Sequence, residues 1–353
     1  MGRVGWLNGW IHPTPLTLSS FFPTFVRKKS IFFINMSETL YDEIPSLDLA
    51  DFTSGDPERK ANFVRELGAA FNNIGFIALK NHGLTDELTK QLYDAVQAFF
   101  QAPDDIKQKY EHPELHGQRG YVGKGKETAK GFKVADLKEF YHIGQPEPID
   151  GMPGNVFPDE YPAFGQYTLA AYQTLENAGK TLLRAIALYL ELPEDYFEDK
   201  VKNGDSILRA IHYFPLNPDL VPEGAVRAAA HGDINLITLL MGASAEGLEV
   251  LRRDGKWIPI TALPEQVIVN VGDMLDRLTN HKLKSTIHRV VNPPREKLNT
   301  PRYSIPFFMH PRGDMDLTCL DSCVTTEHPK LYVDMTAGEF LDERLRELGL
   351  KKG

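Results

Sequence analysis

From Ser206 onward the hydrophobic pattern of this 353-residue chain shifts to a period of two. The runs ILRAIHYF, INLITLLM, GLEVLR, KWIPIT, VIVNV, STIHRVV and RYSIPFF are short and separated by Gly, Pro and polar residues. Residues two apart on a strand share a face, so such runs are suited to burying one side of a sheet. They are too short for core helices, and Asp254-Gly255 between two of them reads as a tight hairpin turn. Many short antiparallel strands with Gly and Pro turns predict a jelly-roll barrel, whose mouth can hold a ligand.

Ahead of these strands the period is helical. PERKANFVRELGAAFNNIG places Phe63, Leu67, Ala70 and Ile74 on one face and ends at Gly75. After a strand at FIALKN, Thr85 caps a second helix with Leu88, Leu92, Ala95 and Phe99 in line. A long helix runs through YTLAAYQTLENAGKTLLRAIALYLEL to Pro193, whereas His112 to Glu160 is rich in Gly and Pro and shows few periodic runs. Near the end Thr336 and Glu339 form a capping box for a helix carrying Phe340, Leu341, Leu345 and Leu348. The expected fold class is α+β, a double-stranded β-helix with N-terminal and flanking helices.

One set of side chains on the strands carries chemistry. If AAAHGD is extended, His231 and Asp233 point the same way across Gly232, and His288 arrives from a later strand. Two imidazoles and one carboxylate on one side of a metal make the facial triad of non-haem Fe(II) oxygenases, which leaves coordination positions open. Arg302 and Ser304 repeat the alternate spacing and suit a carboxylate, held by charge-assisted hydrogen bonds. A lone His-x-Asp or Arg-x-Ser occurs by chance in many chains; order and strand context make the set specific.

On these residues the chain resembles the isopenicillin N synthase-like family of Fe(II)/2-oxoglutarate-dependent oxygenases. The likeness runs from IPSLDLADF to HPRGDMDL. Its early part, IPSLDL through GFIALKNHGL to FFQAPDDIKQKY, is similar to the N-terminal region peculiar to that branch. The resemblance implies Fe(II) held by His231, Asp233 and His288, and the distal carboxylate of 2-oxoglutarate held by Arg302 and Ser304. With O2 as the other cosubstrate, it implies oxidation of a small organic metabolite by hydroxylation, desaturation or ring closure, releasing succinate and CO2. No catalytic residue beyond the metal ligands is implied. The corresponding domain limits are 43–150 for the N-terminal dioxygenase region, 203–312 for the jelly-roll core and 313–353 for a C-terminal segment with a helix.

Other positions stay open between function and packing. HYFP departs from the Asn-Tyr-Tyr-Pro of many plant relatives, whose Asn and second Tyr help bind the cosubstrate. His212 is therefore a candidate cosubstrate ligand or a core histidine, and Phe214 offers no hydrogen bond. Arg119, Tyr121, Phe140 and His142 lie where relatives build the substrate wall, and Phe308 follows the clamp serine. For these five, substrate contact and ordinary packing both stand. His281 reads as a turn residue rather than a spare ligand. Two other functions fit the motifs: a 2-oxoglutarate-independent iron oxidase of the isopenicillin N synthase type, and a non-catalytic jelly-roll binding protein.

Composition narrows the partners. A formal net charge of -9 argues against nucleic acid, whose phosphates demand a basic surface. No apolar run is long enough to span a bilayer. The two cysteines, Cys319 and Cys323, are too few for a disulfide framework and read as free thiols of a reducing compartment. A cytoplasmic enzyme acting on a small molecule, with no membrane partner, is expected, and the oligomeric state is not legible. Residues 1–35 hold Arg3, Arg27, Lys28 and Lys29 and no acidic residue, and they precede Met36, near where the likeness begins. They are expected to be a disordered N-terminal extension.

Overall fold

The structure, a computed structural model, describes residues 40–347 apart from 116, 127–135, 148, 150–151, 218, 220–224, 242–246 and 262. The expectations for residues 1–35 and for Leu348 lie outside the described residues. The strands are β1 Ser46–Asp48, β2 Phe76–Lys80, β3 Gly120–Val122, β4 Glu139–Ile143, β5 Ile207–Tyr213, β6 Ala228–His231, β7 Ile237–Met241, β8 Leu248–Leu251, β9 Trp257–Pro259, β10 Val267–Val271, β11 His288–Val290 and β12 Arg302–Met309. The α-helices are α1 Leu49–Thr53, α2 Pro57–Asn73, α3 Asp86–Phe100, α4 Asp104–Gln108, α5 Pro162–Tyr189, α6 Glu198–Val201, α7 Asp273–Leu278 and α8 Ala337–Glu347.

The strands form two sheets. The major one runs β1-β2-β10-β7-β12-β5-β4-β3 and the minor one β6-β11-β8-β9. Period-two patterning decides what each face meets. On the major sheet Leu239, Val269, Ile305 and Phe307 point outward into one core with α2, α3 and α5. Ile211, Tyr213 and Ile268 point inward and meet Val250, Ile258 and Val290 of the minor sheet. The space between the sheets is the interior of the jelly roll, and it holds the polar residues described below.

Local signals explain the element ends. Asp56 accepts from the Glu58 and Arg59 amides to start α2, and Thr85 accepts from Leu88 to start α3. The Thr336–Glu339 capping box forms as expected, with Thr336 N–H donating to Glu339 Oε2 at 2.8 Å and Glu339 N–H to Thr336 Oγ1 at 3.3 Å. Gly255 turns the β8–β9 hairpin at φ 84°.

Two expectations change. The segment 112–160, read as irregular, contains β3 and β4, which extend the major sheet beyond β5. All five residues of β4 are buried, so no polar alternation marks it in the sequence. The second change concerns β6, which ends at His231, so Gly232 and Asp233 lie past the strand rather than within it. Both cysteines are free and buried. Among the described residues no helix is long and apolar enough to cross a membrane.

Candidate metal centre and adjoining cavity

His231 ends β6 and His288 begins β11, and the two residues are direct partners across the antiparallel pair. Their rings lie 4.5 Å apart between centroids. Asp233 joins them from the link between β6 and β7. Its Oδ1 is 4.0 Å from His231 Nε2 and 3.8 Å from His288 Nε2. One donor atom from each residue lies within 4.8 Å of the others, the geometry of a metal site. The convergence predicted from strand alternation is present, but a turn delivers it. That turn is pinned where α7 begins: the Asp273 amide donates to Asp233 O at 2.7 Å and the Met274 amide to Ile234 O at 3.2 Å.

The remaining atom of each triad side chain is already engaged. His231 Nδ1 lies 2.7 Å from Ala229 O, and His288 Nδ1 lies 3.3 Å from Thr286 O. A proton on each Nδ1 satisfies those carbonyls and leaves the Nε2 lone pairs for a metal. Asp233 Oδ2 accepts from Thr238 Oγ1 at 2.6 Å and Asn270 Nδ2 at 2.8 Å, which leaves Oδ1 facing the imidazoles. Thr238 on β7 and Asn270 on β10 are register partners on the inner face, so one rung of the major sheet orients the carboxylate.

Electrostatics agree with that donor set. Although 40% of its side-chain surface is open, His231 is pushed down to about 4 by desolvation, reinforced by neighbouring His288. It is therefore neutral near pH 7, as a ligating imidazole must be. Burial alone would raise the Asp233 pKa. The charges of His288 and His231 and the hydrogen bonds from Thr238 and Asn270 outweigh it and hold the carboxyl below its ordinary value.

Arg302 and Ser304 share the inner face of β12, 1% and 3% exposed, opposite Tyr213 and Ile211. The Arg302 guanidinium lies 4.9 Å from the Tyr213 ring centroid. Arg227 approaches the same ring at 6.0 Å; it is 1% exposed and donates to Thr300 O at 2.9 Å. Arg227 Nε is buried without a hydrogen-bond partner, and no carboxylate among the described residues pairs with this arginine. Two buried guanidiniums flanking one tyrosine fit a multiply charged carboxylate ligand. The sequence marks neither Arg227 nor Tyr213: the first lies before β6, outside any motif, and the second is the middle of HYFP.

A cavity of about 480 Å³ opens beside the triad, lined by His231 and Asp233. Of the expected substrate residues, Arg119, His142 and Phe308 line it. Phe140 stands next to them on the inner face, its ring 4.8 Å from that of His142. Tyr121 does not: it points outward, packs on Phe99 at 6.1 Å and donates to Glu139 Oε2 at 2.5 Å. His212 is corrected in the same way, because it alternates with inward Tyr213. It stacks on Tyr303 at 4.8 Å with Nδ1 2.8 Å from Glu139 Oε1, so it is a core histidine behind the sheet. His310, also missed, lines the cavity and continues the inward series of Arg302, Ser304 and Phe308. Carrying the alternation one step past RYSIPFF would have found it. Burial pushes its pKa down to about 4, and its Nδ1 has no hydrogen-bond partner. His281 is a turn residue at φ 66°.

Residues 44–162 match the model of the non-haem dioxygenase N-terminal family described from morphine synthesis, and residues 204–311 match the 2OG-Fe(II) oxygenase superfamily. A proline hydroxylase of Petromyces alliaceus, buaE, is 34% identical over 86% of this chain and 98% of its own. The chain belongs to the isopenicillin N synthase-like 2OG-Fe(II) oxygenases. A solved structure of a 2OG-Fe(II) oxygenase family protein from Caulobacter crescentus is 44% identical to this oxygenase, with a TM-score of 0.77 over 88% of this chain and 99% of that one. A full-length Neurospora crassa protein solved in complex with alpha-KG and thymine is 30% identical, with a TM-score of 0.78 over 86% of this chain and 96% of that one. This oxygenase is thus a non-haem iron oxidoreductase that works with Fe(II), 2-oxoglutarate and O2, and its residues supply the nitrogen and oxygen donors such a metal takes.

Proposed function

We propose that His231, Asp233 and His288 hold the Fe(II), that Arg302 with Ser304 holds the distal carboxylate of 2-oxoglutarate, and that the adjoining cavity takes a small organic metabolite. One observation carries this reading. Two Nε2 atoms and one Oδ1 face each other while the other polar atom of each side chain is already occupied. When bound, iron and cosubstrate supply the O2-dependent oxidation that releases succinate and CO2. The protein's own part is positional. Thr238 and Asn270 fix the carboxylate, the Ala229 and Thr286 carbonyls fix the imidazoles, and Tyr213 and Arg227 complete the anionic end.

Phe308, His142 and His310 form the substrate wall, and no general base is assigned. The named substrates of relatives support a small molecule: proline for the Petromyces enzyme, and thymine in the Neurospora complex. A net charge of -9 disfavours nucleic acid, and we place the enzyme in the cytoplasm. We assign 203–312 as the catalytic jelly roll, 43–150 as the N-terminal region and 313–353 as the C-terminal segment.

Anaerobic titration with Fe(II) and then 2-oxoglutarate tests the assignment. The expected result is a saturable visible metal-to-ligand charge-transfer band, absent in His288→Ala. Iron binding without a band would overturn the clamp and favour the 2-oxoglutarate-independent oxidase. Failure to bind iron would overturn the triad and leave a non-catalytic binding protein.

A further inference from the structure

We propose that the substrate of this oxygenase carries a carboxylate and that Arg119 receives it. The inference rests on the cavity being the substrate site, and it names the class of molecule that enters. Arg119 lines the cavity that His231 and Asp233 also line, although it is only 4% exposed. Its hydrogen bond is local, from Nη1 to Gln118 O at 2.7 Å. The Nε is buried with no partner, and no described carboxylate lies within ion-pair distance of the guanidinium. Two other cations of the cavity are matched. Lys138 pairs with Asp136 at 2.8 Å and Arg344 with Glu347 at 2.6 Å, although Arg344 Nε, like that of Arg119, has no hydrogen-bond partner. Asp205 lines the same cavity and acts on Arg119 electrostatically, but from beyond pairing distance.

The fold makes room for this arginine. A Cβ on Gly144, just past β4, would come within 2.1 Å of the Arg119 Cζ, Nε and Nη2 atoms, so the glycine is the shelf on which the guanidinium rests. A second cation faces the same space. Arg209 lies between the Phe140 ring at 4.4 Å and the Phe308 ring at 5.2 Å, and its Nε donates to His142 Nε2 at 2.5 Å. Holding a guanidinium out of water with an unmatched N–H is costly, and native proteins leave few such groups. A carboxylate in the cavity pairs with the cavity-facing part of the Arg119 guanidinium through charge-assisted bonds, balances its charge and gains from Arg209 nearby. An uncharged acceptor would satisfy the N–H but not the charge, and an ammonium would do neither for Arg119. The competing structural account is a water behind Arg119, in a pocket of about 30 Å³ that it shares with Gln145, Glu147 and Asn155.

The test uses the anaerobic Fe(II)·2-oxoglutarate protein at saturating cosubstrate. Matched probes are proline and prolinamide, phenylacetate and phenylacetamide, and indole-3-acetate and indole-3-acetamide, with thymine as an uncharged reference. Calorimetry gives each Kd, and succinate release is measured on admitting O2. At least one acid should bind and stimulate succinate release, with its amide tenfold or more weaker. Arg119→Gln should weaken that acid by tenfold or more, Arg119→Lys by less, and both should leave the 2-oxoglutarate band intact. Gly144→Ala, which displaces the guanidinium without removing it, should mimic Arg119→Gln and serves if that variant does not fold. Equal binding of acid and amide, binding of thymine alone, no binding of any acid, or an unchanged Kd in Arg119→Gln would each overturn the proposal. Absence of the band in the wild-type protein would instead count against the metal and clamp assignment.

Discussion

At the scale of single residues, Thr238 and Asn270 hold Asp233 Oδ2 and so leave Oδ1 facing the imidazoles of His231 and His288. His231, Asp233, His288, Arg302 and Ser304 announce themselves because metal and carboxylate chemistry restricts residue type and spacing. Thr238, Asn270, Arg227 and Tyr213 carry no such signature, because their roles arise from register and packing. His212 misled because a strand has two faces, and its parity puts it behind the sheet with Glu139. Thr238→Val and Asn270→Ala should each lower Fe(II) affinity by about 10- to 100-fold, in line with losses at other metal-supporting hydrogen bonds. Competition with a chromophoric chelator measures this, and unchanged affinity in both would show that Asp233 is oriented without them. Arg227→Ala should raise the 2-oxoglutarate concentration for half-maximal band intensity by about tenfold or more, the size of a hydrogen bond to a charged group at ~1.5–3 kcal/mol. A normal titration there would remove Arg227 from the clamp.

At the scale of elements, the strands of the core were readable because runs such as INLITLL and VIVNV are rich in β-branched residues. The β4 strand was not: β10 is just as fully buried, but β4 reads EFYHI, with a single β-branched residue and with Glu139 held by Lys107, Tyr121 and His212. Helix α7 was hidden for another reason: six residues are too few to display a period. Its C-terminal turn carries the ion pair between His281 Nδ1 and Asp276 Oδ2 at 2.9 Å, with Tyr332 donating to the same carboxylate at 2.7 Å. The hydrogen bond to Asp276 raises the His281 pKa above its ordinary value of 6.5, outweighing desolvation. A raised folded pKa means that charging His281 stabilises the native state. That contribution is full below the unfolded pKa and is lost as pH rises through the higher folded value. His281→Asn keeps a residue tolerant of the φ of 66°. The Tm gap between wild type and this variant should therefore be larger at pH 5.5 than at pH 8.5. A gap independent of pH would show that the imidazole acts through shape alone. Because half of the side chain is exposed, the effect should be small and should shrink further in high salt.

At the scale of the whole molecule, the chain order of the two matched regions conceals how closely they are built together. The N-terminal strands complete both edges of the major sheet: β2 pairs with β10 on one side, and β4 with β5 on the other. Strand β10 carries Asn270, so pairing to β2 helps to hold the rung that orients Asp233. The outer face of the core strands is covered by helices that precede them in sequence, as where Tyr172 of α5 meets Phe307 at 5.0 Å. A fragment beginning at residue 203 would leave Leu239, Val269, Ile305 and Phe307 uncovered and two strand edges unpaired, a surface prone to association. Such a fragment should lack a cooperative thermal transition and bind no Fe(II), whereas residues 36–353 should unfold in one transition in which far-UV dichroism and loss of the 2-oxoglutarate band coincide. Phe99→Ala addresses the same coupling inside the intact chain. That ring lies within 6.4 Å of Tyr110, Tyr121, Tyr141 and Phe164, and it is fully buried on the side of the sheet opposite His231, Asp233 and His288. Its loss should cost ~3–5 kcal/mol, the usual range for a buried phenylalanine, and lower the single Tm without splitting it. Two separate transitions, or an iron-binding fragment from residue 203, would mean that the jelly roll stands alone and that the N-terminal layer serves only to shape its mouth.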